Sequence, residues 1–95
     1  MLLGSFTKRP SERKRYNVDY SIWLDDDEVL DEVTFEVTPA TDPAFSVDEY
    51  HIANDRIVIF YVSGGEPTTT YEVVLTAKTS KGDIEVNSVS YSVTR

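Results

Sequence analysis

The side chains that could do chemistry are few and scattered. The densest set is the acidic run Asp25, Asp26, Asp27 and Glu28. Calcium takes about six to eight oxygens from converging loops, and the EF-hand spacing with its central glycine is missing here. Paired catalytic carboxylates fit no better, because neighbouring residues of an extended chain point to opposite faces and nothing marks a pocket that would raise one pKa. The run reads as a solvated turn. His51 is the one histidine, so a His-paired metal site is excluded, and it reads as a strand-edge side chain. Ser63-Gly64-Gly65 could form an anion nest, but phosphate-cradling loops open into a helix and here a strand follows. With no cysteine there is no disulfide, thiolate nucleophile or Cys zinc site. No catalytic residue, metal or other cofactor is expected.

Contact chemistry is better represented. The chain has six tyrosines, four phenylalanines and one tryptophan. Tyr16, Tyr20, Tyr71 and Tyr91 fall on apolar phases and read as core. Tyr71 also suits a tyrosine corner, its hydroxyl bonding back to loop backbone. Trp23, Tyr50, Phe60 and Tyr61 are the candidate partner contacts, since aromatic side chains carry much of the energy at interfaces.

Elements able to position these residues must come from a small domain. At 95 residues there is room for one core, and a chain of this size buries only about 60–65% of its unfolded surface. Charge is split along it. Residues 1–15 carry five basic groups (Lys8, Arg9, Arg13, Lys14, Arg15) against one acid, whereas residues 16–95 carry four basic groups and sixteen acids. The acidic body argues against nucleic acid, whose binders present a basic face. Residues 1–15 read as a flexible, basic electrostatic arm, mobile in isolation and ordered on a partner, with residues 16–95 as a single domain. No apolar stretch approaches the ~20 residues of a spanning helix. The charges follow the apolar Met1–Phe6 instead of preceding it, unlike a signal peptide. The expectation is a protein made in the cytoplasm, without membrane contact.

A period of two runs through the chain, the mark of half-buried strands. Tyr16, Val18, Tyr20, Ile22 and Leu24 form one face; Val33, Phe35 and Val37 another, with Asp31 an acid on the apolar side. Pro39 and Pro43 end that strand. A third strand is expected near Phe45–Ile52. Asn54-Asp55 suits a tight hairpin. The unbroken run Ile57-Val58-Ile59-Phe60-Tyr61-Val62 reads as a central strand covered on both faces, and one of its faces is a candidate subunit contact. Tyr71, Val73, Leu75 and Ala77 share a face, Ser80–Asp83 forms a four-residue connection, and the three-residue step from Val86 to Val89 suggests a β-bulge at Asn87-Ser88. Six or seven antiparallel strands at this length point to an all-β, immunoglobulin-like sandwich. Val33, Phe35, Ile59, Val73, Leu75 and Tyr91 are the expected core.

The opening Tyr16-Asn-Val-Asp-Tyr-Ser-Ile-Trp-Leu24, preceded by Lys8-Arg9-Pro10, resembles the first strand of a family of small phage and prophage fibre- or tail-type virion proteins. Ser63-Gly64-Gly65, Tyr71-Glu-Val73 and Thr79-Ser-Lys-Gly82 continue that resemblance over residues 6–95. Two positions depart from the pattern: Asp26-Asp27 stands where Asp-Gly is typical, and Glu66-Pro67 follows Gly65. The resemblance implies an immunoglobulin-like virion component near the head–tail region, with no catalytic residues. The leading expectation is a non-enzymatic structural protein that binds other virion proteins or copies of itself. The alternative is a sandwich module that binds carbohydrate or a cell-surface receptor.

Overall fold

The computed structural model describes residues 2–95. Seven strands form two sheets: β1 (Leu2–Lys8), β2 (Arg13–Asp19), β3 (Leu30–Thr38), β4 (Phe45–Ala53), β5 (Ile57–Gly64), β6 (Thr70–Thr79) and β7 (Ile84–Val93). One sheet has the order β1-β7-β6-β3 and the other β2-β5-β4. Pairing is antiparallel except for β1, which lies parallel to β7. The two sheets face each other as a β-sandwich, elongated along the strands, measuring 45 × 19 × 18 Å.

The core lies where the inner rows meet. On β5, Val58, Phe60 and Val62 are fully buried, while Ile57, Ile59 and Tyr61 look outward and are half-buried. Opposite them sit Tyr71, Val73, Leu75 and Ala77 of β6 and Val89, Tyr91 and Val93 of β7. β5 is thus the central strand of its sheet, as the apolar run requires, but only its even face is covered completely. Phe35 and Ile59 are therefore half-buried instead of core, the first because the sandwich opens at β3, the second because it faces out.

Turns follow local chemistry. Asn54 and Asp55 take positive φ (51° and 59°) and close the β4–β5 hairpin through the Arg56 N–H to the Ala53 carbonyl, 3.1 Å. Such two-residue turns match the right-handed strand twist. Gly82, at φ 86°, serves the four-residue β6–β7 connection.

Where alternation breaks, the structure departs from the expected phases. β7 has no bulge against β6; its ladder runs unbroken from Ile84 to Ser92. Asn87 turns inward on the same row as Val89, and Ile84 and Val86 are exposed. The extra residues lie elsewhere. A register shift between Val47 and Glu49 leaves Asp48 over and returns Tyr50 and Ile52 to the inner row beside Phe60 and Val58. Another between Leu30 and Glu32 does the same for Asp31, so the strand starts at Leu30. β2 also stops earlier than Leu24. The Asp19 carboxylate accepts the Ser21 N–H (2.8 Å), and the Trp23 and Leu24 N–H groups both turn back to the Tyr20 carbonyl. An Asx turn of this kind competes with the ladder. It leaves Ile22 fully exposed and returns Leu24 to the core.

The expected arm, residues 1–15, differs most from expectation over residues 2–15; Met1 lies outside the described residues. β1 and most of the basic run in β2 are paired strands. Backbone pairing with β7 and β5 provides the ordering that a charge count could not reveal.

Removing the Phe60 ring leaves a cavity at the centre of this single core layer. Phe60→Ala should lower the unfolding free energy by about 3–5 kcal/mol, against a total of about 5–15 kcal/mol for a domain of this kind. Phe35→Ala should cost clearly less. Urea denaturation of both variants measures the difference; equal losses would contradict the half-open position of Phe35.

Candidate functional site

The sandwich is closed at neither side. On one, the edge strands β1 and β2 bring Phe6 against Tyr16, with ring centroids 5.1 Å apart, and Phe6 is 41% exposed. The small cleft there is lined by Phe6, Thr7, Lys14, Arg15, Tyr16 and Tyr91. On the other, β3 and β4 diverge over a groove of about 480 Å³ whose walls include Val33, Phe35, Val37, Val47 and Tyr50. Tyr50 sits on Phe35 (5.0 Å) and is 49% exposed. The two sides are joined through the core: Tyr16 packs on Phe60 at 5.7 Å and Phe60 on Phe35 at 5.2 Å. Five rings therefore span the molecule, with exposed aromatics at both ends.

A third feature is a pocket of about 410 Å³ at one end of the β1/β2 side, lined by Leu3, Val18, Tyr20, Ile22, Trp23 and Asn87 together with Asp19 and Glu85. Trp23 stands edge-on to Tyr20 at 5.9 Å. The Tyr20 hydroxyl reaches Asn87 Oδ1 at 3.3 Å. Burial, with a smaller push from the Glu85 carboxylate, raises the Tyr20 pKa to about 12. The hydroxyl thus stays a neutral donor, which explains how Asn87 can sit buried in an apolar row.

The candidate contacts divide accordingly. Trp23 and Tyr50 are exposed, but they belong to different sites, the end pocket and the β3/β4 groove. Phe60 is fully buried and is a core residue, not a contact; its even position on β5 faces the opposite sheet. Tyr61 lies on the outer face beneath the Arg13 guanidinium, 4.0 Å from the ring centroid. Arg13 also binds Asp48 Oδ1 at 2.9 Å and Glu49 Oε1 at 3.1 Å, reaching across β5 to β4. Of the basic group, Arg9, Arg13, Lys14 and Arg15 are exposed.

Lys8 is the exception and is removed from the electrostatic set. Its side chain is buried, its ammonium donating to the Gly64 carbonyl at 2.7 Å and the Arg9 carbonyl at 2.8 Å, near the Phe45 ring. Burial lowers its pKa. It ties the end of β1 to the end of β5 across the two sheets. Gly65 lies beside this tie because a Cβ there would press on Val93, Phe45 and Tyr71. Tyr71 closes the same end: its hydroxyl accepts the Glu66 N–H at 2.8 Å and bonds Thr41 Oγ1 at 2.6 Å, the hydroxyl-to-loop bond expected of it.

The acidic run holds the opposite end. Glu28 is buried rather than solvated. Its carboxylate accepts the Thr79 hydroxyl and the Asp25 N–H. Lys81 bridges Asp27 at 2.7 Å and Asp25 at 3.2 Å, and Arg56 donates to the Asp25 and Asp26 carbonyls. Among the described residues no group of three or more His, Asp or Glu side chains is placed to hold a metal ion. His51 is exposed on β4, with Glu49 at 4.0 Å.

The sequence model of a family described as "Podophage GP4 fiber-tail adaptor protein gp77" matches residues 8–92. The chain belongs to the gp77 family. It is a structural component of a phage virion. The matched stretch begins at Lys8, the buried tie and last residue of β1, and contains all of β2–β6, hence the β3/β4 side, but not Phe6 and the rest of β1. No match was found among curated proteins. No helix is long and apolar enough to cross a membrane among the described residues.

Two measurements test these end ties. Lys8→Ala removes the ammonium from the Gly64 carbonyl, while the Arg9 carbonyl keeps the Glu12 N–H at 3.1 Å, and should cost about 1–3 kcal/mol in urea denaturation; a neutral result would mean that water replaces the ammonium freely. Hydrogen bonding from the Thr79 hydroxyl, then from the Asp25 N–H, holds the Glu28 carboxyl below the ordinary carboxylate range. A depressed acid stabilises above its unfolded pKa and loses that contribution as pH falls through the folded one. Glu28→Gln should therefore melt lower than the parent at neutral pH, with the gap closing on acidification below the usual carboxylate range. A gap constant across pH would remove ionised Glu28 from the account.

Proposed function

We infer that this chain is a non-enzymatic adaptor that holds a fibre to the tail of a phage particle by protein–protein contact. The observation that carries this reading is the family match across residues 8–92. The surface supports it. An adaptor needs at least two separated contact regions on a rigid body, and the sandwich offers the β1/β2 side, the β3/β4 groove and the Trp23 end pocket. Its rigidity comes from a core in which no buried side-chain N or O lacks a partner among the described residues. Nothing in the candidate sites combines a nucleophile, a base and an oxyanion donor as hydrolysis or group transfer requires. The immunoglobulin-like reading of the sandwich belongs to the same proposal: such domains present loops and edges around a stable two-sheet core.

A second reading, carbohydrate or receptor binding, has one observation in its favour. The Trp23 pocket joins an exposed indole to the Asp19 and Glu85 carboxylates, a combination that could stack on a sugar ring and accept its hydroxyls.

The test is a phage carrying a stop codon in this gene. Virions should assemble heads and tails but lack fibres in electron micrographs, and should regain them when the protein is supplied in trans. Complementation with Ile22→Ser/Trp23→Ala and with Tyr50→Glu identifies the region that fibre attachment uses. Fibres present on particles without the protein would overturn the adaptor reading. Normal fibres with lost adsorption to host cells would favour the second reading.

A further inference from the structure

We propose that copies of this chain associate side to side, the β1/β2 side of one against the β3/β4 side of the next. This does not depend on the adaptor reading, because it concerns the purified protein alone. Three independent features point to it.

The first is charge. Residues 8–19, which bring β2 to the edge, carry five basic groups and two acids. Residues 30–53, which form β3, β4 and their connection, carry six acids and no Lys or Arg. Charges commonly guard strand edges against pairing. Guards of one sign on every edge would make copies repel. Here opposite edges carry opposite signs, so two copies repel when like sides meet and attract when unlike sides meet. Arg13 is engaged with Asp48 and Glu49 within the molecule. Lys14 lies 3.5 Å from Glu12, an exposed pair that a stronger acidic neighbour can exchange, and Arg15 is exposed beside it; on the other side Asp31, Glu32 and Glu36 are exposed.

The second is the backbone. β1 pairs only with β7, β2 and β4 only with β5, and β3 only with β6, among the described residues. Each lateral side thus offers two strand edges, one from each sheet. A neighbour can extend the ladder by strand addition, using main-chain hydrogen bonds as the attraction.

The third is apolar surface. Phe6 is 41% exposed on one side and Tyr50 49% exposed on the other, beside a groove with walls from Val37 and Val47.

A contact between two different sides is heterologous. It closes into a ring if the rotation per copy allows and otherwise runs on as a filament. The overall charge of −8 opposes association at long range, but exposed charges are screened beyond ~10 Å at 0.1 M salt, while the contact itself acts at shorter distance.

Sedimentation velocity of the purified chain over a wide concentration range in 0.1 M and 0.5 M NaCl tests this, with circular dichroism as the folding control. The parent should form species larger than a dimer at 0.1 M salt and fall towards monomer at 0.5 M. Lys14→Glu/Arg15→Glu makes both sides acidic; Glu32→Lys/Glu36→Lys makes the β3 edge basic. All four positions are exposed, so both variants should fold. Each alone should be monomeric at 0.1 M salt, and an equimolar mixture should associate again, because each variant keeps the side that the other has lost. A parent monomeric at every concentration would overturn the proposal. So would a parent that stops at a two-fold dimer, an assembly unaffected by either variant, or a mixture that stays monomeric.

Discussion

A single layer of side chains holds the two sheets together, and most features of the molecule follow from how little that layer can cover. Val58, Phe60 and Val62 project from the middle of a three-stranded sheet onto Tyr71, Val73, Leu75, Val89, Tyr91 and Val93 of a four-stranded one. There are too few strands to wrap around this layer. The centre is fully buried, yet the apolar rows run on to edges where Phe6 and Tyr50 are about half exposed. Extra core residues would have closed these sides.

Because the core is thin, the ends of the sandwich are held by polar groups. At one end the Lys8 ammonium and the Tyr71 hydroxyl bind loop backbone, with Gly64 and Gly65 allowing the close approach. At the other, Glu28 receives Thr79 and Lys81 spans two aspartates. A buried polar group costs little once its partners are in place and a great deal without them. These ties therefore penalise alternative registers more than they add to stability.

Charge is segregated by edge, aromatic rings surface at both sides, and the reactive residue types are dispersed or engaged in structural bonds. The acidic run, the most conspicuous chemical feature of the chain, is a structural clamp: one of its four carboxylates is buried and two are bridged by a lysine.

Local patterns determined much of this from the sequence alone. A period of two marked the strands, the Ile57–Val62 run announced the central one, and Asn54-Asp55 and Ser80–Asp83 marked their turns. These features depend on residues near one another in the chain, as did the opening motif that pointed to phage tail proteins. Tertiary structure decided whatever depended on parity and partners. Alternation tells which residues share a face only until one residue is inserted, and a bulge is invisible until two strands pair. Asp48 took that place in β4, so Tyr50 and not Glu49 joined the inner row; Asn87 kept its inward place in β7 because Tyr20, from the turn that follows β2, meets it. The basic segment looked like a free arm because composition counts charge and ignores backbone hydrogen bonds. Only pairing with β5 and β7 made it two edge strands, and only burial against Gly64 and Phe45 turned Lys8 from a surface cation into a tie between the sheets.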